Sequence, residues 1–144
     1  MIKGIVFDFG NVIHPWDKSI FDKKAASKSP CSPKQIRNAF IGSGLEREYN
    51  KGEKTTQEVY DILKERCELD LSKEEFIEIY SDIFTKNEEV IELIGKLSKE
   101  YKLLLFSDTC EVHYEMVIKQ SPAYEFFEDE VVSFKIGERK VSKK

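Results

Sequence analysis

The chain has 144 residues, a formal net charge of −4, and 35% charged residues of both signs. This length is typical of about one domain with a buried core, and the charges form no basic stripe of the kind that binds nucleic acid. No apolar run approaches the roughly 18 residues of a membrane span, and no secretory leader precedes the first strand. We therefore expect a small cytoplasmic protein without a nucleic-acid or membrane partner.

The first predicted element is an apolar strand that begins near Ile5 and runs into Asp8 and Gly10. Open α/β sheets place their chemistry at the carboxyl ends of strands, so Asp8 is a candidate nucleophile or metal ligand. Another interpretation stays open at this point: Asp8 starts a tight turn with Gly10 and Asn11, because all three residue types are common in turns.

The middle of the chain, from about residue 18 to residue 86, has the hydrophobic period of helices. Ser32 starts a capping-box pattern, Thr55 or Thr56 is expected to cap a second helix, and Ser72 a third. Aromatic and aliphatic side chains repeat every three to four residues along these helices and are expected to form core. A fourth helix is predicted from Val90, Ile91, Ile94 and Leu97.

Two further strands are predicted after the helical segment. The first covers Lys102 to Ser107, and its continuous apolar run indicates burial on both faces of a parallel sheet. A helix is predicted over Glu111 to Lys119, and the third strand over Glu130 to Ile136. The predicted fold class is α/β, a Rossmann-like parallel sheet with an inserted helical segment. The cysteines, Cys31, Cys67 and Cys110, lack the spacing of a zinc site and are expected to be free thiols.

Polar side chains follow the strands at their carboxyl ends, which meet at one edge of a parallel sheet. They are Asp8, Ser107 and, past a glycine turn, Lys140. A carboxylate nucleophile, a hydroxyl donor and an ammonium group can attack, orient and neutralise a phosphoryl group. Taken singly, Ser107 is better explained by helix capping, and Lys140 by a solvated position in the basic terminus. Their order along the chain favours phosphoryl transfer.

This order resembles the haloacid dehalogenase (HAD) superfamily, whose motifs are a strand followed by an aspartate, a strand ending in Ser or Thr, and a lysine. The matching segments are Phe7 to Val12, Leu105 to Thr109 and Gly137 to Lys140. The first and second segments look like those of a phosphatase-like branch that includes sugar-phosphate phosphatases. The likeness covers nearly the whole chain.

The resemblance implies a domain organisation. Residues 1–17 and 87–144 would form the α/β core, and residues 18–86 would form a type-one helical cap. Closure of this cap would exclude water from the phosphoryl site and set the choice of substrate. Residues Glu46 to Gly52, with Tyr49, are candidates for facing the cleft, although packing within the cap explains them equally well.

The resemblance also implies a mechanism. Asp8 would attack phosphorus to form an aspartyl-phosphate, Ser107 would donate to a phosphoryl oxygen, and Lys140 would hold the charged intermediate. Mg²⁺ would bridge the Asp8 carboxylate and the phosphate, with the backbone carbonyl of Gly10 as a further ligand. The other motif residues are candidates for substrate binding: Asn11, Asp108 and Thr109.

The sequence departs from the superfamily pattern at Gly10. Because glycine replaces the second acid of the first motif, the usual general acid is missing. His14 is a candidate substitute, since histidine titrates near neutral pH, but a packing role for His14 and Trp16 is the favoured interpretation. His113 is expected to face solvent rather than the cleft.

A second departure is the missing fourth motif, an acidic pair that would complete the magnesium site. The sequence ends four residues after Lys140, and the acidic run from Glu125 to Glu130 precedes a strand, so it is expected at the opposite edge of the sheet. Mg²⁺ can bind with one or two carboxylates plus phosphate. The pattern predicts a core that is incomplete at its C-terminus, with the first strand at an open edge.

Two functions therefore stay open. The leading one is a Mg²⁺-dependent phosphatase of a small phosphorylated metabolite. The alternative is a truncated hydrolase fold, catalytically weak or inactive, that acts as an interaction module or self-associates through the exposed first-strand edge. A phosphoacceptor receiver domain is disfavoured, because its acceptor aspartate does not follow the first strand and it has no helical insertion of this length.

Overall fold

The computed structural model describes residues 1–140. Three parallel strands form one sheet in the order β1-β2-β3, and they are β1 Gly4–Phe7, β2 Lys102–Ser107 and β3 Asp129–Val132. The register pairs Phe7 with Leu105 and Ser107 with Val132. Because the strands run in parallel, Asp8 and Ser107 lie at the same edge of the sheet. The prediction of an α/β fold with a parallel sheet is confirmed.

Helices connect the strands and fill the segment between β1 and β2. Two of them continue as π-helical turns, Asn38–Gly42 after the helix Pro33–Arg37 and Tyr114–Ile118 after the helix Glu111–His113. A 3₁₀ turn at Tyr124–Phe126 precedes β3. The α-helices of the described residues are α1 Lys18–Ala26, α2 Pro33–Arg37, α3 Leu45–Asn50, α4 Thr56–Cys67, α5 Lys73–Ser81, α6 Glu88–Leu97, α7 Glu111–His113 and α8 Ser133–Ile136.

Capping boxes start α2, α4 and α5. The sequence predicts the box at Ser32 and a capping residue for each of the other two helices. In each box the N-cap hydroxyl accepts the N–H of the third helical residue, whose side chain accepts the N–H of the N-cap in return. Thr55 is the cap of α4. The neighbouring Thr56 instead places its hydroxyl 2.7 Å from the hydroxyl of Tyr49.

Two apolar clusters hold these elements together. One fills the interior of α1–α5 around aromatic side chains and reaches the start of α7. The other lies between one face of the sheet, α6 and the π-helical turn Tyr114–Ile118, and in it Leu103, Leu105 and Ile94 are fully buried. The predicted aromatic and aliphatic stripes are core, as expected. The buried side chains of the first cluster include Phe21, Phe40, Tyr49, Phe76 and Tyr80.

The opposite face of the sheet is exposed in the described residues. Leu104 and Phe106 are each 37% accessible and Val6 is 59% accessible, so the prediction that β2 is buried on both faces is wrong here. The continuous apolar run gives no period that could distinguish one buried face from two. No helix within residues 1–140 is long and apolar enough to cross a bilayer.

The third strand is shorter than predicted. It ends at Val132, and residues Ser133–Ile136 form α8, which ends at Gly137 with φ of +73°. Val132 and Ser133 are buried in succession, which breaks the alternation of a strand. The Ser133 hydroxyl forms hydrogen bonds with backbone groups of Thr109 and Asn50. Since these partners lie in other parts of the chain, the chain turns at this residue.

A short antiparallel bridge joins the two segments through which the chain passes between sheet and helices. The N–H of Asp17 donates to the carbonyl of Ile83 at 2.9 Å, and the N–H of Thr85 donates to the carbonyl of Pro15 at 2.8 Å. Trp16 lies opposite Phe84 in this bridge. The predicted boundaries after residues 17 and 86 fall next to it.

Candidate active site

A cleft of about 230 Å³ lies between the carboxyl ends of the strands and the helical segment. It has the position at which open α/β sheets bind their ligands. The sheet side of the cleft is lined by Asp8, Ser107, Asp108, Thr109 and Lys140. The other side is lined by Trp16, Lys18, Glu46, Asn50 and Tyr80.

The Asp8 carboxylate faces the cleft and is paired with Lys140. Its Oδ1 lies 2.9 Å from Nζ of Lys140 and accepts the N–H of Phe9 at 2.7 Å. Within residues 1–140 its Oδ2 makes no hydrogen bond, and the side chain is 45% accessible. Solvent screens a pair this exposed, so its contribution is to orient the two groups rather than to stabilise the fold.

Asp108 holds the segment that carries Lys140. Its Oδ1 accepts the backbone N–H of Lys140 at 3.0 Å, and its Oδ2 lies 3.4 Å from Nε of Arg139. Lys140 Nζ also lies 5.0 Å from the centroid of the Phe106 ring, a cation–π contact. These contacts place the ammonium group beside Asp8.

Ser107 and Thr109 lie buried at the end of β2. The N–H of Thr109 donates to Oγ of Ser133 at 2.9 Å. Ser133 Oγ lies 2.6 Å from the carbonyl of Asn50 and 3.0 Å from that of Thr109, so its single proton serves one carbonyl at a time. Ser133 therefore ties the end of α3 to the strand end that carries Ser107.

A side chain at Gly10 would require the Trp16 indole to move. A Cβ at this position would lie 2.7 Å from Nε1 and 2.9 Å from Cδ1 of Trp16. The Trp16 backbone N–H donates to Oδ1 of Asn11 at 3.0 Å, and Asn11 has a φ of +59°, a conformation that asparagine tolerates. The side-chain oxygen of Asn11 is thus engaged in holding Trp16 over Gly10.

The two histidines are both buried, which the sequence did not predict for His113. His14 stacks on Phe9 at 4.9 Å, places Nε2 2.8 Å from Oγ of Ser121 and is not part of the cleft lining. Its burial lowers the pKa of His14. His113 lines the cleft, and its Nε2 donates to the carbonyl of Tyr80 at 2.9 Å. His113 is only 7% accessible, so the expected solvent exposure of this side chain is wrong. Its burial lowers the pKa of His113 to about 4.

The buried His113 predicts a loss of stability in mild acid. Its folded pKa of about 4 lies below the ordinary 6.5, so the unfolded chain binds more protons between these values. The free energy of unfolding should fall as pH is lowered from 6.5 to 4, by up to about 3 kcal/mol from this residue. Urea unfolding of the native chain and of His113→Gln at pH 7 and pH 5 measures this contribution. Between these pH values the free energy of unfolding should fall less in the variant than in the native chain. Equal losses would contradict the assignment of the acid sensitivity to His113.

The helical side of the cleft carries residues that the motifs did not identify. Lys18 Nζ lies 2.5 Å from Oε1 of Glu46 and 4.9 Å from the centroid of the Trp16 ring. The Tyr80 hydroxyl is buried and makes no hydrogen bond within the described residues. Lys18 follows the N-cap of α1 and Tyr80 belongs to an apolar stripe, so neither has a local signal of function.

Part of the predicted cleft segment lies in the cleft. Glu46 and Asn50 line it, whereas Tyr49 is buried and bonded to Thr56. The three cysteines are free thiols, as expected. Burial raises the pKa of Cys110 to about 12, which is typical of a packed, unreactive thiol.

The donor set at the strand ends fits Mg²⁺. Within residues 1–140 the Asp8 Oδ2 and the Gly10 carbonyl oxygen accept no hydrogen bond, so both oxygen atoms can serve as ligands. The same residues contain no group of three acidic, histidine or cysteine side chains that could hold a metal ion by itself. Mg²⁺ prefers oxygen ligands and usually keeps several waters beside one or two carboxylates and a substrate phosphate. Asp8 and the Gly10 carbonyl could therefore hold it.

Comparisons with known proteins give structural neighbours only, since no protein-family model and no curated protein matches the chain. A HAD family enzyme from Bacteroides thetaiotaomicron, solved in complex with magnesium and inorganic phosphate, has a TM-score of 0.85 and 21% identity, covering 97% of this chain and 73% of that one. A predicted HAD-like family hydrolase from Porphyromonas gingivalis has a TM-score of 0.82 and 21% identity, covering 99% and 71%. The chain therefore has the α/β fold of the HAD family enzymes, as its motifs predict.

Proposed function

We propose that this protein is a Mg²⁺-dependent phosphatase that acts on a small phosphorylated metabolite through an aspartyl-phosphate on Asp8. The observation that carries the proposal is the pairing of Asp8 with Lys140 at 2.9 Å, beside Ser107 at the end of the adjacent strand. The neighbour from Bacteroides thetaiotaomicron that was solved with magnesium and phosphate supports it.

In this proposal Asp8 supplies the nucleophile. A carboxylate oxygen attacks phosphorus, the bond from phosphorus to the leaving oxygen breaks, and the leaving oxygen takes a proton from solvent. A water molecule later attacks the aspartyl-phosphate, which releases phosphate and the Asp8 carboxylate, and the proton of that water returns to solvent. Ser107 donates a hydrogen bond to a phosphoryl oxygen. Lys140 neutralises the charge on the transferring group, which is where such reactions gain most of their stabilisation.

Asp8 and the Gly10 carbonyl would hold Mg²⁺, which supplies positive charge to the phosphoryl oxygens when bound. Asp108 orients Lys140 through the backbone N–H of that residue. Thr109, on the cleft side of Ser133, remains a candidate for substrate binding. Residues 18–86 would form the cap over residues 1–17 and 87–144, and the cleft between them would exclude water.

Hydrolysis of 4-nitrophenyl phosphate tests this proposal. We expect turnover that requires Mg²⁺ and is abolished by chelation, and a loss of about 10²–10³-fold in kcat for Lys140→Met, because the charge that faces the phosphoryl group is removed. The matched control is Lys119→Met, since Lys119 pairs with Glu115 on the helix surface away from the cleft. This variant should keep full turnover.

A second candidate function is self-association, which the exposed apolar face of the sheet favours. Val6, Leu104, Phe106 and Val131 are between 37% and 59% accessible on that face, and β1 is at the edge of the described sheet. A folded chain that forms a dimer by light scattering and shows no Mg²⁺-dependent turnover would contradict the phosphatase proposal and favour this candidate.

A further inference from the structure

Two cysteines of the helical segment lie side by side. Cys31 belongs to the loop between α1 and α2, and Cys67 is the last residue of α4. Both are free thiols. The Cys31 side chain packs against the apolar cluster that contains Cys67, and its thiol lies within hydrogen-bond reach of the Cys67 thiol. The fold thus brings together two thiols that are far apart in sequence.

Hydrogen bonds hold the two backbones together around this contact. The Ser29 hydroxyl donates to the carbonyl of Cys67 and accepts the N–H of Cys31 at 2.9 Å. The N–H of Asp70 donates to the carbonyl of Lys28 at 2.7 Å. The two segments that carry the thiols therefore lie alongside each other. Their side chains meet the first requirement for a disulfide, which is that the partners belong to adjacent segments and point at each other.

The two thiols differ in their access to solvent. Cys31 is half-buried, whereas Cys67 is only 1% accessible. Burial raises the pKa of the Cys67 thiol to about 11, so at neutral pH this thiol keeps its proton and is shielded from a diffusing oxidant. An oxidant therefore meets Cys31 first. Cys67 is then the neighbouring thiol that can react with the oxidised Cys31.

We propose that Cys31 and Cys67 form a redox-modification site, at which a peroxide oxidises the two thiols to an intramolecular disulfide. The bond joins the loop before α2 to the end of α4, two parts of the helical segment that hydrogen bonds and apolar packing alone connect in the reduced chain. This inference goes beyond the proposed function and does not depend on it.

The oxidation proceeds in two steps that consume one molecule of hydrogen peroxide. In the first, the Cys31 sulfur, having lost its proton, attacks one peroxide oxygen, the O–O bond breaks, and the departing hydroxide takes up that proton to become water. In the second, the Cys67 sulfur attacks the sulfur of the Cys31 sulfenic acid, and the S–O bond breaks. The proton of the Cys67 thiol leaves with the departing hydroxide as a second water. Two electrons thus pass from the sulfur atoms to the peroxide.

The disulfide lies away from the cleft and acts on stability. Neither cysteine lines the cleft, whereas Lys18 at the start of α1 does. Cys31 follows the other end of α1, and Cys67 ends α4. Because the bond closes a loop of the chain that is open in the reduced protein, it restricts the unfolded state and lowers its conformational entropy. The oxidised chain should therefore unfold less readily than the reduced chain.

Peptide mapping of the full chain after treatment with hydrogen peroxide tests the proposal. The remaining thiols are alkylated in urea, and trypsin then separates the three cysteines on the peptides 29–34, 67–73 and 103–119. We expect peptide 29–34 to be linked to peptide 67–73 and the chain to stay monomeric on a non-reducing gel. Cys110 should be alkylated, because it is fully buried in the native fold. Dithiothreitol should release the link.

Variants and unfolding measurements define the site. Cys31→Ser and Cys67→Ser should each abolish the link, and Cys110→Ala is the matched control that should retain it. If Cys67→Ser does not fold, the mapping of the native chain and of Cys31→Ser decides. Oxidation of the native chain should lower the equilibrium constant of unfolding in urea by about 10–10³-fold. Dithiothreitol should reverse this change, and Cys31→Ser should not show it.

Three results would overturn the inference. The first is full alkylation of Cys31 and Cys67 after peroxide treatment, and the second is a sulfinic acid on Cys31 without a bond to Cys67. The third is the same mixture of linked peptides from the native chain and from the chain oxidised in urea, since the pairing would then not depend on the fold. Failure of Asp8 to accept a phosphoryl group would overturn the proposed function and leave this inference intact.

Discussion

Asp8→Asn should abolish the hydrolysis of 4-nitrophenyl phosphate, with kcat falling by at least about 10³-fold. The amide is nearly isosteric with the carboxylate but is not a nucleophile, so no aspartyl-phosphate can form. It also loses the charge that pairs with Lys140 at 2.9 Å and that would hold Mg²⁺. Steady-state kinetics at saturating Mg²⁺ measures the effect.

The fold of this variant should persist, because the Asp8 side chain is 45% accessible and its ion pair is screened by solvent. The matched control is Asp61→Asn, an acid on α4 that accepts a hydrogen bond from Gln57. Asp61→Asn should retain native turnover. Residual activity of Asp8→Asn above one tenth of the native rate would contradict the nucleophile assignment.

Gly52→Ala should destabilise the protein more than any other glycine-to-alanine change in the helical segment. Its Cβ would lie 2.2 Å from the carbonyl oxygen of Phe134, a backbone atom that cannot move alone, and Gly52 has a φ of +71°. The turn after α3 must therefore shift away from α8. That shift would stretch the link from Asn50 through Ser133 to Thr109 at the cleft.

Gly44→Ala is the matched control for the backbone conformation. Gly44 has a φ of +86°, but a Cβ there has no neighbour within 4 Å. Both variants carry the left-handed penalty of about 1–2 kcal/mol, and Gly52→Ala should lose a further 1–3 kcal/mol or so from the clash. Urea unfolding at 25 °C measures both, and KM for 4-nitrophenyl phosphate should rise only in Gly52→Ala. Equal stability of the two variants would contradict the contact with α8.

The features predicted from sequence are those with local signals. Ser32 and Ser72 each stand three residues before a side chain that completes a capping box, and this pattern is independent of distant contacts. The positions of Asp8 and Ser107 at strand ends follow from apolar runs of the length of a strand. Parallel pairing then brings them to one edge.

The features that the sequence did not predict depend on distant parts of the chain. Ser133 ends β3 because its hydroxyl bonds with Thr109 and Asn50, and neither partner is near it in sequence. His113 is buried because α5 supplies the Tyr80 carbonyl and ring. A polar residue in either place is ambiguous until its partners are known.

The position of Trp16 and Lys18 in the cleft wall, beside Glu46, was missed for the same reason. The glycine at residue 10 indicated that the second acid of the motif is missing, but nothing in the sequence indicated that the indole of Trp16 lies next to this glycine. Glu46 was included only as part of a longer candidate segment, and Lys18 is one of many lysines beside a helix start. Their arrangement around the cleft arises from the packing of α1 and α3 near the strand ends.

Mass spectrometry of the acid-quenched chain after brief incubation with Mg²⁺ and acetyl phosphate tests the central claim most directly. The account predicts a single phosphoryl group on the peptide that contains Asp8, absent in Asp8→Asn and after chelation of Mg²⁺. A folded chain that acquires no phosphoryl group, or acquires it at another residue, would contradict the assignment of Asp8 as the nucleophile of a phosphatase.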